Sequence, residues 1–396
     1  MKIFDHSNHL NTIMSTILKI DGSLGEGGGQ VLRIALSLSA LFKIPIEIEN
    51  IRAGRPKPGL AAQHLKGVEI ARDMCDAKVK GAYIGSTRLE FLPGAISQSS
   101  KRKFYADTRT AGCIGLLAQV TLPIALFMPQ GEPITLVFKG GTNVPMGPHV
   151  EYLTEVFRPW LNKFGADFDF TVVKRGYYPK GGGEVHLKIS LIKYLTSIEM
   201  LHQGNIESIS GWAYVAGSIH LNEAYHRADV AKNTITKKLM INGNTSIPAI
   251  NIEAYREDRG MAVGNGSGIN LVCNTSSGCV LGGSGLDSNR QQESKSDLAV
   301  EAAEQILNPF FSGSCVDDHM QDQIIILMAI ATGRSRISIG NQQLTQHTET
   351  AIKVAEIMLA DRGFHFELNQ NKDINIPDLT SRILECEGCG LVNARF

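Results

Sequence analysis

Ile337-Ser-Ile-Gly-Asn-Gln-Gln-Leu-Thr-Gln-His-Thr-Glu-Thr-Ala-Ile352 reads as a strand, a polar loop and then the start of a helix. Ile337 and Ile339 alternate with Arg336 and Ser338, the pattern of a half-buried strand, and Gly340 ends the run. Thr348 is expected to cap a helix in which Ala351, Ile352, Ala355, Ile357 and Met358 recur at helical spacing. On this reading His347 lies in a loop at a helix N-terminus. Anions bind at such places, and an imidazole there can serve as base or nucleophile. It can equally be a solvent-exposed histidine beside a cap.

Two further segments follow the same plan of turn, apolar helix, short strand, polar loop and second helix. The first opens at Gly25-Glu-Gly-Gly-Gly-Gln30, with a helix over 31–42, a strand over 44–51, a loop over 52–58 and a helix over about 60–75. The second opens at Thr110-Ala-Gly-Cys113, with a helix over 114–127, a strand over 134–138, a loop over 139–147 and a helix over 148–164. The third opens at Asp317-Asp-His-Met-Gln-Asp-Gln323, with a helix over 324–331, a strand over 336–339, the His347 loop and a helix over 348–362. A glutamine marks each first helix, and a polar loop follows 22 residues after Gln30 (Arg52), 24 after Gln119 (Asn143) and 24 after Gln323 (His347). Matched spacing of this kind implies repeated two-helix-on-sheet units. It places Arg52/Arg55, Lys139/Asn143 and His347 at equivalent edges, facing a common centre.

Residues 191–289 break the pattern. They hold a strand-like run over 212–219, a helix over 228–240 and strands over 249–255 and 269–273, and read as a separate inserted unit. Gly278-Cys-Val-Leu-Gly-Gly-Ser-Gly285 is expected to lead back to the repeats through a helix over 295–308. The expected division is 14–190 for the first part of a large domain, 191–289 for the insert and 290–396 for the last part.

A chain of 396 residues is long enough for more than one core. Its 43% hydrophobic and 20% charged residues are ordinary for a globular protein, and its formal net charge of zero confines any nucleic-acid site to a local basic patch. The purest apolar run, 324–331, is too short to cross a bilayer. The polar start lacks a signal-peptide core; residues 1–13 read as a dispensable extension, with Met14 an alternative start. Seven scattered cysteines suggest reduced thiols and a cytoplasmic setting, and Cys386-Glu-Gly-Cys389 has no second pair to complete a zinc site.

Several stretches carry candidate chemistry. The glycines of Gly25–Gln30 let a backbone approach a phosphate or let a tight turn pack on a neighbour; the stretch matches neither a P-loop nor GxGxxG. Glu26 within it either ligates magnesium or sits in solvent. Ile51-Arg-Ala-Gly-Arg-Pro-Lys-Pro-Gly59 gathers three cations in a proline-stiffened loop suited to phosphates, or merely to water. Arg33, on the first helix, lies towards the same end. Lys139-Gly-Gly-Thr-Asn-Val-Pro-Met-Gly-Pro-His149 is either a plain turn or a place where Asn143 reads a base and His149 stacks. Arg175-Gly-Tyr-Tyr-Pro-Lys-Gly-Gly-Gly-Glu-Val185 is the most distinctive stretch, its glycines suited to close packing of neighbouring units. Asp322 and Gln323 either serve the helix dipole or bind adenine and ribose and orient His347.

In combination these motifs closely resemble the RNA 3'-terminal phosphate cyclase family. The resemblance runs from Leu18 to about Leu359 and rests on 21–39, 52–66, Asp107–Gly112, Lys139–Asn143, Arg175–Val185, Asp322-Gln323 and His347. The fold it implies is α+β, with three repeated two-helix, four-strand units in a large domain and a small inserted α/β domain. The activity it implies is ATP-dependent conversion of an RNA 3'-phosphate to a 2',3'-cyclic phosphate through a histidine–AMP and an RNA-ppA intermediate. His347 matches the nucleophile. Arg33, Arg52, Arg55 and Gln63 match catalytic positions. Gln119, His149, His319, Asp322 and Gln323 fall on the adenosine side, and Glu26 is the candidate ligand for the Mg2+ or Mn2+ that accompanies ATP.

The chain departs from the family pattern at Arg109, where a small residue is usual, and at His149, where glutamine is common. The expected partner is RNA with a 3'-phosphate end, with a homodimer as the one oligomer carried forward and no membrane. A cyclase-like branch that serves ribosome assembly as a non-catalytic binding protein is the alternative; it lacks the nucleophilic histidine, so His347 with Arg52, Arg55 and Gln63 favours the enzyme. An enolpyruvyl transferase of related architecture would need more repeats than three.

Overall fold

The computed structural model describes residues 17–96, 101–243, 246–287, 297–370 and 381–396. The expected extension over 1–13 and Met14 lie outside the described residues.

The first unit runs β1 (Leu18–Asp21), α1 (Gln30–Phe42), β2 (Ile46–Glu49), α2 (Ala62–Cys75), β3 (Lys78–Lys80) and β4 (Leu89–Leu92). Its sheet has the order β1-β2-β4-β3, with β1 parallel to β2 and the other pairs antiparallel. The second unit runs β5 (Lys103–Asp107), α3 (Ile114–Leu126), β6 (Ile134–Gly140), α4 (Val150–Tyr152), a π-helical turn (Leu153–Phe157), α5 (Arg158–Lys163), β7 (Phe168–Gly176) and β8 (Gly183–Ile189). Here β5 is parallel to β6, and β8 lies antiparallel between β6 and β7.

After β9 (Glu199–Met200) the chain enters the smaller unit: β10 (Ile206–Ala216), α6 (Asn222–Ile241), β11 (Ala249–Arg256), β12 (Ala262–Val263), β13 (Gly266–Thr275), β14 (Val280–Leu286) and α7 (Asp297–Phe311). The chain returns through α8 (Asp318–Ile330), β15 (Thr332–Gly340), α9 (Gln346–Leu359), a 3-10 turn (Ala360–Arg362), β16 (His365–Gln370) and β17 (Arg382–Cys389). The third sheet repeats the plan: β9 parallel to β15, and β17 antiparallel between β15 and β16. The smaller unit is therefore spliced into the third repeat, between its first strand and first helix.

The first helices α1, α3 and α8 each have 13 residues. Nearly every residue of each is buried, the state of a helix apolar on all sides. They pack on one another and on the second helices, α1 against α2, α3 and α9, and α8 against α3 and α9. Their side chains, among them Leu36, Leu38, Leu117, Ile324 and Ile325, form the main core with the inner faces of the three sheets. Each such burial contributes about 1.5–3 kcal/mol.

The smaller unit has its own four-stranded sheet, β11-β10-β13-β14, and its own core. Helix α7, expected to lead back to the repeats, instead lies with α6 on this sheet, and Ala299, Ala302, Ala303, Ile306 and Leu307 fill that core. Ile192, Leu195 and Ile198 belong to the main core. The small core thus takes residues from beyond 289 and none from 191–200. Strand β12 leaves the unit to pair with β7, joining the two bodies.

Candidate active site

Helix α9 begins one turn earlier than its periodicity suggests. Thr345, not Thr348, is the N-cap: its Oγ1 accepts the Thr348 N–H at 3.1 Å and the helix starts at Gln346. His347 is therefore in the first helical turn and not in the preceding loop. Its side chain is half exposed, and its Nδ1 stands 3.4 Å from Oε1 of Glu26.

The glycine-rich turn brings Glu26 there. Gly25 has φ +59°, and a Cβ on it would collide with the Thr350 hydroxyl, so this turn seats directly on α9. The Glu26 N–H donates to Thr350 Oγ1 at 3.2 Å, fastening the two segments. The Glu26 carboxylate is almost fully buried. One oxygen accepts from Arg55 Nη2 at 2.6 Å; the other faces His347 and the Gln30 N–H. Arg55, Glu26 and His347 thus form one line from the proline-stiffened loop to the start of α9.

Arg33 lies behind that line, buried, donating to Gln30 Oε1 and leaving its Nε without a partner. Burial lowers its pKa, against the pull of Asp322 and Glu26. Asp322 is buried too, and burial raises its pKa against the attraction of Arg33, His347 and His319. Arg52, at φ +53°, donates from Nη1 to the Gly59 carbonyl at 2.8 Å, and its pKa is lowered by partial burial and by Arg55. Three guanidiniums so face two carboxylates, one of them drawn towards its neutral form. The site is short of negative charge and suited to a polyphosphate.

Gln63 accepts the Cys113 N–H at 2.9 Å, joining the start of α2 to the start of α3. Next to it His64, unmarked by the sequence reading as a site residue, accepts the Ala61 N–H on Nδ1 at 3.2 Å. Burial, Arg52 and Arg33 push its pKa down to about 3. His64 is consequently neutral, and its protonated Nε2 is on the Arg33 side, where a Cβ on Gly29 would fall 2.6 Å from Nε2 and 2.9 Å from Arg33 Nη1.

At the start of α8, Asp317 is the N-cap. It accepts the N–H groups of His319 and Met320, both at 2.9 Å, together with the Tyr152 hydroxyl at 2.7 Å and the Gly282 N–H at 2.8 Å. His319 is exposed and meets the Tyr152 ring edge-on at 6.0 Å. Tyr152 had no local signal: it lies 165 residues from Asp317 in the chain. Gln323 turns back on its own helix, donating to the His319 carbonyl at 2.8 Å. Gln119 is half-buried on α3, and no hydrogen bond among the described residues ties it to His347. His149 is buried with Nδ1 2.7 Å from Asn270 Oδ1, so its ring bridges the second unit to β13 and offers no open face for stacking.

The distinctive 175–185 stretch performs a joint of another kind. Arg175 on β7 pairs with Glu151 and, at 3.1 Å, with Glu257 of the smaller unit. Tyr177 stacks on Tyr214 of β10 at 5.7 Å, and a Cβ on Gly181 would strike the Thr110 carbonyl. Burial opposes the Arg175 charge, but Glu151, Tyr255 and Glu257 outweigh it and raise the pKa.

The three repeats also align differently from the glutamine spacing. Gln119 and Gln323 each occupy the sixth residue of their helices, whereas Gln30 is the first of its own. The second helices start after Ala61, His149 and Thr345, all with extended backbones. The second residue of each is Gln63, Glu151 or His347. His347 is therefore the counterpart of Gln63 and Glu151, not of Arg52 and Asn143.

The model of one family, RNA 3'-terminal phosphate cyclase, matches residues 24–364. A curated relative of that name from Drosophila melanogaster is 41% identical over 377 residues, 95% of this chain and 98% of the relative. Relatives of the same name from Pyrobaculum aerophilum and Methanopyrus kandleri are each 36% identical, covering 86% and 81% of this chain and 92% and 87% of their own. The match runs from the glycine-rich turn of the first repeat through α9 of the third, takes in the spliced unit and includes Glu26, Arg55 and His347; this chain belongs to the RNA 3'-terminal phosphate cyclase family.

Proposed function

We propose that this chain converts the 3'-terminal phosphate of RNA to a 2',3'-cyclic phosphate with ATP, and that His347 carries the AMP. The supporting observation is the Arg55–Glu26–His347 line. With Nδ1 turned to the Glu26 carboxylate, the imidazole keeps its Nδ1–H there and presents the Nε2 lone pair outward. The 3.4 Å separation is wider than a formed hydrogen bond, as is common at catalytic contacts before substrate arrives.

Nε2 of His347 attacks the α-phosphorus of ATP; an N–P bond forms, the P–O bond to the β-phosphate breaks, and pyrophosphate leaves. An oxygen of the RNA 3'-phosphate then attacks the same phosphorus, breaking the N–P bond and returning the imidazole. The neighbouring 2'-hydroxyl, losing its proton, attacks the activated terminal phosphorus and AMP departs. A phosphate monoester has a poor leaving group, and adenylylation provides a good one. Arg33, Arg52 and Arg55 offset the charge that builds on the phosphates. Gln63 holds the starts of α2 and α3 together beside them.

The adenosine is proposed on the α8 side, where the exposed His319 ring is held against buried Tyr152 and Asp322 and Gln323 follow on the same helix. The family pattern assigns Gln119 and His149 to that side as well; buried His149 would act there through its contact with Asn270 and not by stacking. Among the described residues no group of three or more His, Cys, Asp or Glu gathers to hold a metal ion. A magnesium or manganese ion would be held by Glu26 and by phosphate oxygens of the nucleotide, a donor set such ions accept. When bound, it neutralises phosphate charge. No helix among the described residues is long and apolar enough to cross a membrane. A cytoplasmic location and a homodimer belong to this reading as expectations.

The test is a 3'-phosphorylated oligoribonucleotide incubated with ATP and magnesium. The expected product resists phosphatase and carries a 2',3'-cyclic end. An unchanged 3'-phosphate, from protein shown to bind ATP, would point instead to a non-catalytic binding protein.

A further inference from the structure

Beyond the reacting end of the RNA, we propose that Tyr83 and Ile84 form a stacking platform for unpaired nucleotides upstream of the 3'-phosphate. The proposal rests on the functional reading above, because it takes the same RNA as occupant. Three loops lie in series at one end of the first sheet. The glycine-rich turn that carries Glu26 touches the basic loop, where Arg55 Nη2 donates to Glu26 Oε2 at 2.6 Å. The basic loop touches the β3–β4 loop in turn: the Leu60 N–H donates to Ser86 O at 3.0 Å, and the Gly85 N–H to Leu60 O at 2.8 Å. Gly59, whose carbonyl holds Arg52, lies so close to Gly85 that a Cβ would strike the Gly85 carbonyl. The tip of the third loop is thus anchored, through two residues, to a guanidinium of the candidate site.

That tip is an ordered turn. The Ser86 N–H donates to the Tyr83 carbonyl at 3.1 Å, and Gly85 has φ +83°, as the third position of a type II turn requires. It presents Tyr83 and Ile84 to water, 64% and 67% exposed. Two large apolar side chains side by side on a fixed turn gain nothing from solvent. Among the described residues the Tyr83 ring has no aromatic or cation–π partner, and Lys57, exposed in the adjoining loop, has no acidic partner. A ring on a stiff turn, next to a loop that carries an unpaired cation, suits single-stranded RNA: bases stack on the ring irrespective of sequence, and the cation follows the backbone.

The experiment compares a decaribonucleotide 3'-phosphate with a dinucleoside 3'-phosphate, and Tyr83→Ala with wild type and Tyr83→Phe. Tyr83→Ala is expected to raise KM for the decamer by roughly 5- to 100-fold, the range base–aromatic stacking commands. It should leave kcat and the KM of the short substrate unchanged, and Tyr83→Phe should restore the decamer KM. In Tyr83→Trp the decamer should quench the indole fluorescence. A decamer KM within about twofold of wild type in Tyr83→Ala, or equal losses on both substrates, overturns the platform. If the wild type cyclises nothing, the functional reading fails, while quenching of Tyr83→Trp by the decamer still decides the binding surface.

Discussion

Nδ1 of His347 faces Oε1 of Glu26 at 3.4 Å, while the other oxygen of the same carboxylate is held by Arg55. One buried carboxylate therefore stands where it would hold the Nδ1 proton of the imidazole once the contact closes. This places a requirement on Glu26 that is separate from any metal it holds.

Glu26→Gln keeps the size of the side chain but loses the charge. It is expected to lower the rate of ATP-dependent self-labelling by on the order of a hundredfold, the lower end for a positioned acid–base partner. Single-turnover labelling checks this. A rate within threefold of wild type would remove Glu26 from the account.

Arg33 and Asp322 balance one another in the buried part of the site. Arg33→Met removes the cation and leaves Asp322 without its main attractive partner. A buried carboxylate left with less positive charge around it is costly, so the melting temperature should drop by several degrees. Asp322→Asn on the same background should recover part of the loss, which differential scanning calorimetry can read.

His64 gives the pH dependence its sign. Its folded pKa is depressed to about 3 by burial and by Arg52 and Arg33, below the unfolded value near 6.5. Between these values the unfolded chain holds a proton that the folded chain refuses. The stabilisation linked to His64 is complete above about pH 6.5 and declines as pH falls towards 3, with a slope of at most about 1.4 kcal/mol per pH unit. Urea midpoints from pH 7 to pH 4.5 should fall less steeply in His64→Gln than in wild type.

Arg175 spans two bodies by gripping Glu151 and Glu257. Arg175→Ala leaves both carboxylates largely buried with no cation, keeping only the Asn143 and Tyr255 hydrogen bonds, for a loss of about 3–5 kcal/mol. Arg175→Lys should recover little, since an ammonium cannot reproduce the planar fork between two acids. Protease sensitivity at the 201–205 and 312–317 connections should rise in both variants.

The helices and turns of the three repeats were legible because each first helix contains a long apolar run, and each second helix an amphipathic one, between glycine-rich or polar punctuation. Register was not. Counting from glutamines paired His347 with Arg52 and Asn143, but loop lengths differ between units, and only the backbone cap places His347 opposite Gln63 and Glu151. Helix α7 shows a second limit. Its stripe of Ala299, Ala302, Ile306 and Phe310 says which face is buried and is silent on the sheet it covers. The turn of Glu26 towards His347, more than 300 residues away, rests on the Thr350 contact with the glycine-rich turn, which no local pattern announces.

The central claim is that His347 takes up AMP. Wild-type protein incubated with α-labelled ATP and magnesium should acquire an acid-labile, alkali-stable label that is chased onto 3'-phosphorylated RNA, and His347→Ala should acquire none. Folded, ATP-binding wild-type protein that takes no label, or a His347→Ala variant labelled as strongly as wild type, would contradict it.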